Sequence, residues 1–301
     1  MPRFLQAELL TPVAAEVGEG PQWDAVLGVL SWVDITVGRV HVCSALGEGL
    51  RTYEIGRAVG AALPAEGGGF LLAEANGFSI LSASGATSPL LPMLEDKPLL
   101  RFNDAKCDPA GRAFGGTVAY DKTPGAGNLY RLDAGPIATS VLNGLTVSNG
   151  LGWSPDARTM WLADSAQPCI MGFDYEIANG SMGARCCVLA VQETSGVPDG
   201  LCVDDEGGVW LALWGGNAVH RYLPDGRLDT IVRVPTPHVT SCAFGGPDLS
   251  TLFITTARRG LAEEQQRREP TAGGIFAVEP GVTGPAATRW RLDLLATTAT
   301  K

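Results

Sequence analysis

The side chains best suited to chemistry stand in four short stretches. These are Gly18-Glu19-Gly20-Pro21, Arg101-Phe102-Asn103-Asp104, Ser148-Asn149-Gly150-Leu151-Gly152 and Val197-Pro198-Asp199-Gly200-Leu201. Glu19, Asn149 and Asp199 offer only oxygen donors. Such a set suits a hard divalent cation such as calcium, magnesium or manganese, although zinc or ferrous iron also occupies oxygen sites. Two carboxylates balance a charge of +2, and three protein ligands leave positions for water and a substrate. Taken singly, Asn-Gly and Asp-Gly read as ordinary turns and Glu19 as a solvated acid. Their common place in a repeat is what argues for a site.

That repeat is the element that must position them. A few apolar residues, an Asp/Pro/Gly turn and an apolar strand recur with turns near residues 24, 66, 109, 155, 205 and 247, roughly 42 to 50 residues apart. Trp153-Ser154-Pro155-Asp156 followed by Thr159–Asp164 is one copy; Val203-Asp204-Asp205-Glu206-Gly207 followed by Val209–Leu213 is another. A third strand follows several of them, as in Arg39–Val42 and Ala218–Tyr222. A four-stranded unit of about 45 residues reads as a propeller blade. The expected fold is therefore all-β: one domain over residues 1–301, a six-bladed β-propeller with four-stranded antiparallel blades. The leading Phe4–Leu10 segment is expected to join the last blade near Thr288–Leu295 and close the ring. First strands line the axis of a propeller, so residues five to seven positions before each turn should converge on one rim. Glu19, Arg101, Asn103, Asn149 and Asp199 occupy that place.

Composition narrows the function. The chain carries 39 Gly and 20 Pro among 45% hydrophobic residues, which suits many short strands. A net charge of −10 with no basic face argues against a nucleic-acid partner. No apolar run has the length of a membrane span or a signal peptide, so no membrane association and a cytoplasmic setting are expected. The seven cysteines include no CxxC pair and read as free thiols. The three histidines lack metal-ligand spacing, and no Gly-x-Ser-x-Gly elbow or phosphate loop is present. Arg258–Glu269 reads as a charged rim loop with a helical turn, or alternatively as part of a lid over the channel mouth. Trp214 follows a strand and is a candidate to face substrate.

With those motifs in place, the chain resembles the senescence marker protein (regucalcin)/gluconolactonase family. Gly18–Trp23, Arg101–Lys106, Ser148–Ser154, Pro198–Leu201 and Ala272–Phe276 carry the likeness, in family order. The resemblance implies metal-dependent hydrolysis of a small lactone. It implies that Glu19, Asn149 and Asp199 bind the metal, that Asp199 is also the general base, and that Arg101 and Asn103 contact substrate. Some members carry an acidic pair after Gly116-Thr117 that touches substrate hydroxyls; this chain has Tyr120-Asp121 there, which puts an ordinary sugar lactone in question. A phosphotriester hydrolase on the same metal site and a non-enzymatic calcium-binding propeller are the alternatives. A monomer or weak dimer is expected.

Overall fold

A computed structural model describes residues 1–133, 137–192 and 196–291. Two strands open the chain, β1 (Arg3–Gln6) and β2 (Glu8–Thr11). Blade one holds β3 (Gly18–Asp24), β4 (Val29–Asp34), β5 (Arg39–Cys43) and β6 (Arg51–Glu54). Blade two holds β7 (Val59–Pro64), β8 (Phe70–Glu74), β9 (Gly77–Leu81) and β10 (Thr87–Leu91). Blade three holds β11 (Leu100–Cys107), β12 (Ala113–Ala119), β13 (Gly127–Asp133) and β14 (Ile137–Leu145). Blade four holds β15 (Ser148–Trp153), β16 (Thr159–Asp164), β17 (Cys169–Glu176) and β18 (Ser181–Ala190). Blade five holds β19 (Val197–Val203), β20 (Val209–Trp214), β21 (Ala218–Tyr222) and β22 (Leu228–Arg233). Blade six holds β23 (Val239–Gly245), β24 (Thr251–Thr256) and β25 (Ile275–Val278), with β2 as its fourth strand. The fold is the expected six-bladed propeller, and each predicted turn falls between the first and second strands of its blade.

The N-terminal segment closes the ring, but not where expected. Glu8, Leu9 and Thr11 of β2 pair antiparallel with β25, whereas β1 runs parallel to β22 at the edge of blade five. The Thr288–Arg291 stretch forms no part of either sheet. It belongs to a strap beneath the blades, joined by Gly284 N–H to Leu249 O, Ala287 N–H to Trp23 O, Trp290 N–H to Pro64 O and Arg291 N–H to Gly111 O. Residues 292–295, the rest of the expected pairing segment, lie outside the described residues. The pairing differs because Ile275–Val278 is the apolar run that fits an inner sheet, while Arg289 is drawn to Asp24 at 2.6 Å.

Packing explains why the blades stay together. Inner strands are buried along nearly their whole length, because both faces meet a neighbouring blade. A separate apolar cluster fills each gap between blades. Trp23 and Trp32 of blade one meet Phe253 and Ile275 of blade six, and Phe102 meets Leu63 and Phe78 between blades two and three. Outer strands such as β6 and β10 are largely exposed. The turns carry their own supports: Asp24, Asp108 and Asp204 each accept backbone N–H groups of their turn and pair with Arg289, Arg112 and Arg221. Among the described residues, no helix is long and apolar enough to cross a membrane.

Candidate active site

Every first strand is bulged near its start. The register shifts at Glu19/Gln22 in β3, Val59/Ala61 in β7 and Phe102/Asp104 in β11. It shifts at Ser148/Leu151 in β15, Pro198/Leu201 in β19 and Val239/Ser241 in β23. A bulge breaks the alternation of a strand and re-aims a side chain. Within or beside these six bulges stand Glu19, Gly60, Asn103, Asn149, Asp199 and Thr240. Glycines let the strands crowd there: a Cβ on Gly60 would lie 2.7 Å from Phe102 O, and one on Gly150 would lie 2.4 Å from Leu201 N. The segments leading into β3 and β15 are fixed by equivalent acids. Asp34 accepts from Glu16 N (2.9 Å) and Val17 N (3.1 Å), and Asp164 accepts from Thr146 N and Val147 N (both 2.9 Å).

The predicted residues come together around one mouth of the channel. A cavity of about 870 Å³ is lined by Glu19, Arg101, Asn103, Tyr120, Asn149 and Asp199, among others. Asn149 donates Nδ2 to Asp199 Oδ1 and, at 3.0 Å, to Ser165 Oγ. Glu19 Oε2 accepts from Gly20 N at 2.6 Å, and Asn103 Nδ2 donates to Ser148 O at 2.9 Å. Asp121 is not brought in. Its carboxylate faces its own turn, accepting from Thr123 N (3.0 Å) and Thr123 Oγ1 (2.7 Å).

Burial governs the electrostatics of the site. Glu19 is 4% exposed and Asp199 is 7% exposed, so neither carboxylate has much water. Burial, then the charges of Asp199 and Asp104, push Glu19 well above the ordinary carboxylate range. Burial also raises Asp199, against the Asn149 amide and with the Asp104 charge adding to the rise. Asp104 itself is pushed up to about 6 by burial, opposed by Lys106 and the Ala105 N–H. Meanwhile Asn149 Oδ1 is buried with no hydrogen-bond partner among the described residues. Two crowded carboxylates and one orphaned amide oxygen fit a hard divalent cation, whose charge would reverse the penalty. Among the described residues no group of three or more His, Cys, Asp and Glu is placed for a metal; beside the two carboxylates here stands an amide.

Arg101 stands beside this floor. Its Nη1 donates to Phe102 O at 2.9 Å, and its guanidinium carbon lies 6.0 Å from the centre of the half-exposed Tyr120 ring. Burial lowers its pKa to about 10, so it remains a cation at neutral pH. Trp214 also lines the cavity and stacks on His238, with ring centroids 4.0 Å apart and planes 10° apart. Sequence reasoning missed Ser165, Lys122 and Arg259, which line the same cavity. They sit in loops, where no repeat spacing marks them. The other histidines are structural: His41 stacks on Trp32, and His220 lies against Tyr222.

Comparison with known proteins agrees with this fold. Residues 17–258 match a family model described as the SMP-30/gluconolactonase/LRE-like region. A regucalcin from Danio rerio is 35% identical over 277 residues, covering 91% of this chain and 94% of the relative. A regucalcin structure from Agrobacterium tumefaciens, described as a calcium-binding protein, superimposes with a TM-score of 0.92 at 26% identity, covering 97% of this chain and all of that one. A luciferin-regenerating enzyme superimposes with a TM-score of 0.87 at 27% identity, covering 95% and 100%. The match spans all four motif stretches that line the cavity, and the chain belongs to the SMP-30/gluconolactonase/LRE-like family.

Proposed function

We propose that the protein hydrolyses small lactones at the cavity, with a divalent ion held by Glu19, Asn149 and Asp199. The convergence at one channel mouth of two buried carboxylates with an amide oxygen and an arginine that, among the described residues, have no hydrogen-bond and no ion-pair partner respectively carries this reading. Membership of a family that includes gluconolactonases supports it. Calcium is the preferred ion, because the oxygen-only donor set is hard and the Agrobacterium relative is described as calcium-binding. The ion, when bound, supplies Lewis acidity toward the ester carbonyl.

The chain's own residues do the rest. Asp199 takes a proton from water as its oxygen adds to the carbonyl carbon. The carbonyl π electrons move to oxygen, where Arg101 can donate to the developing charge. When the ring C–O bond breaks, the leaving alkoxide recovers the proton from Asp199, giving a hydroxy acid. Asn149 holds Asp199 by its Nδ2 and is itself held by Ser165. Arg101 argues against a purely ion-binding role: among the described residues it has no carboxylate in ion-pair contact, and an ion store needs no such cation.

A pH-indicator assay on a lactone panel tests the proposal. Asp199→Asn keeps an oxygen donor but removes the base, and should lower kcat by about 10²-fold or more while the protein stays folded. Chelation should remove turnover and calcium restore it. Full turnover in the Asn variant would rule out the base; turnover in strong chelator would rule out the ion.

A further inference from the structure

Three cations line the cavity: Arg101, Lys122 and Arg259. Among the described residues, none has a carboxylate within ion-pair distance, although eleven such pairs occur elsewhere. Arg258, one residue earlier, faces Glu16 at 3.9 Å. Arg259 is near enough to Arg101 for its charge to disfavour the Arg101 cation, and Lys122 is near enough to Asp199 to stabilise its carboxylate. Lys122 also holds a φ of 56°, a left-handed conformation that glycine or asparagine adopts at less cost. Its N–H is fixed to Ala119 O at 2.8 Å, so the bend turns the chain at the cavity edge.

The acids of the floor do not account for these cations. Under the lactonase reading, Glu19 and Asp199 are balanced by the divalent ion. Asp104 is offset by Lys106, the cation that acts on it most strongly. The rim then carries three positive charges and no anion. Much of the remaining wall is apolar, with Val17, Ile35, Val118, Val147 and Val197 facing the space, and Thr36, Asn103 and Ser165 are its neutral polar groups. Tyr120 adds a ring where an acidic side chain would repel an anion.

We propose that the preferred substrate is a lactone carrying an anionic substituent, a carboxylate or phosphate, which Arg259 and Lys122 bind while Arg101 faces the ring. This deepens the lactonase reading and rests on it. Arg259 and Lys122 then set specificity rather than chemistry, because the ring reacts at the floor and its charged arm lies at the rim.

The test compares γ-butyrolactone with 5-oxotetrahydrofuran-2-carboxylate, the same ring bearing a carboxylate, in the calcium-loaded protein. The wild-type protein should favour the carboxylated ring in kcat/KM by about tenfold or more, as a charge-assisted contact of ordinary strength gives. Arg259→Gln and Lys122→Gln should each reduce that preference about tenfold, mainly through KM, and Arg259→Lys should restore part of it. Added salt should erode the preference. Equal rates on the two rings, or equal losses on both in the variants, would overturn the proposal. If neither ring opens, the lactonase reading fails by itself. Calorimetry with the open hydroxydicarboxylate then decides the anion site: binding lost in Arg259→Gln upholds it, and no binding by the wild-type protein ends it.

Discussion

Asn149 is the residue that joins the site's parts, since one amide meets Asp199 and Ser165 and leaves its oxygen buried without a partner among the described residues. Removing it should weaken the ion more than the fold. A ligand that binds only the native state at one hundred times its Kd adds about 2.7 kcal/mol. The thermal midpoint of the wild-type protein should therefore rise on adding calcium, and that rise should vanish in Asn149→Ala. An undiminished rise would place the ion elsewhere. A second residue sets an acid limit. Burial and the Arg233 charge lower the pKa of His220 to about 4, against about 6.5 unfolded. Between those values the unfolded chain takes up a proton and the folded one does not, so stability falls as pH drops through this window and is fully present above it. The loss approaches about 3 kcal/mol at the lower end. Urea unfolding at pH 7 and pH 4.5 should show a smaller difference in His220→Phe than in the wild-type protein; equal differences would clear His220.

At the scale of elements, the bulged first strand is the device that makes the site. Glu19 and Asn149 are 130 positions apart, yet each follows a lead-in segment tied to the end of its blade's second strand, by Asp34 in one case and Asp164 in the other. Asp164→Ala leaves the Thr146 and Val147 N–H groups without an acceptor. It should cost about 1–3 kcal/mol and displace Asn149, so that kcat/KM falls beyond what lost stability explains. Activity that tracks the folded fraction alone would deny Asp164 a positioning role. The turn spacing in the sequence made the blades and the shared position of Glu19, Asn149 and Asp199 legible, because both recur with the repeat. The bulges were not legible, since a one-residue shift in pairing leaves no mark on composition. Nor was the fate of Asp121: its neighbour Thr123 captures the carboxylate, a local contact that outcompetes the cavity. Arg259 escaped notice because it lies in a charged run, Arg258–Glu269, whose members cannot be told apart until Arg258 is seen facing Glu16.

For the whole molecule, the question is how a ring of separate sheets stays closed. Two segments from opposite ends of the chain answer it. β2 completes blade six, and the strap from Gly284 to Arg291 makes contact with blades six, one, two and three in turn. The sequence pointed to N-terminal closure but mistook the strap for its partner strand, because Thr288–Leu295 lies at the expected distance along the chain and only tertiary contacts reveal its path. Trp290 is the strap's main anchor. It is 1% exposed, packs in the cluster between blades two and three, and its backbone bonds to both Pro64 O and Glu66 N. Trp290→Ala should cost about 3–5 kcal/mol in stability, the range for deleting a buried aromatic. The strap runs along the mouth opposite the cavity, where residues 285–288 line a separate pocket of about 270 Å³ with Trp23 and Trp153. No strap residue lines the cavity that holds Glu19, Asn149 and Asp199. Urea unfolding should therefore shift to a lower midpoint in Trp290→Ala while kcat in folded protein keeps its wild-type value. A kcat that fell with the midpoint would mean the two mouths communicate through the blades, and that the strap belongs to the catalytic machinery after all.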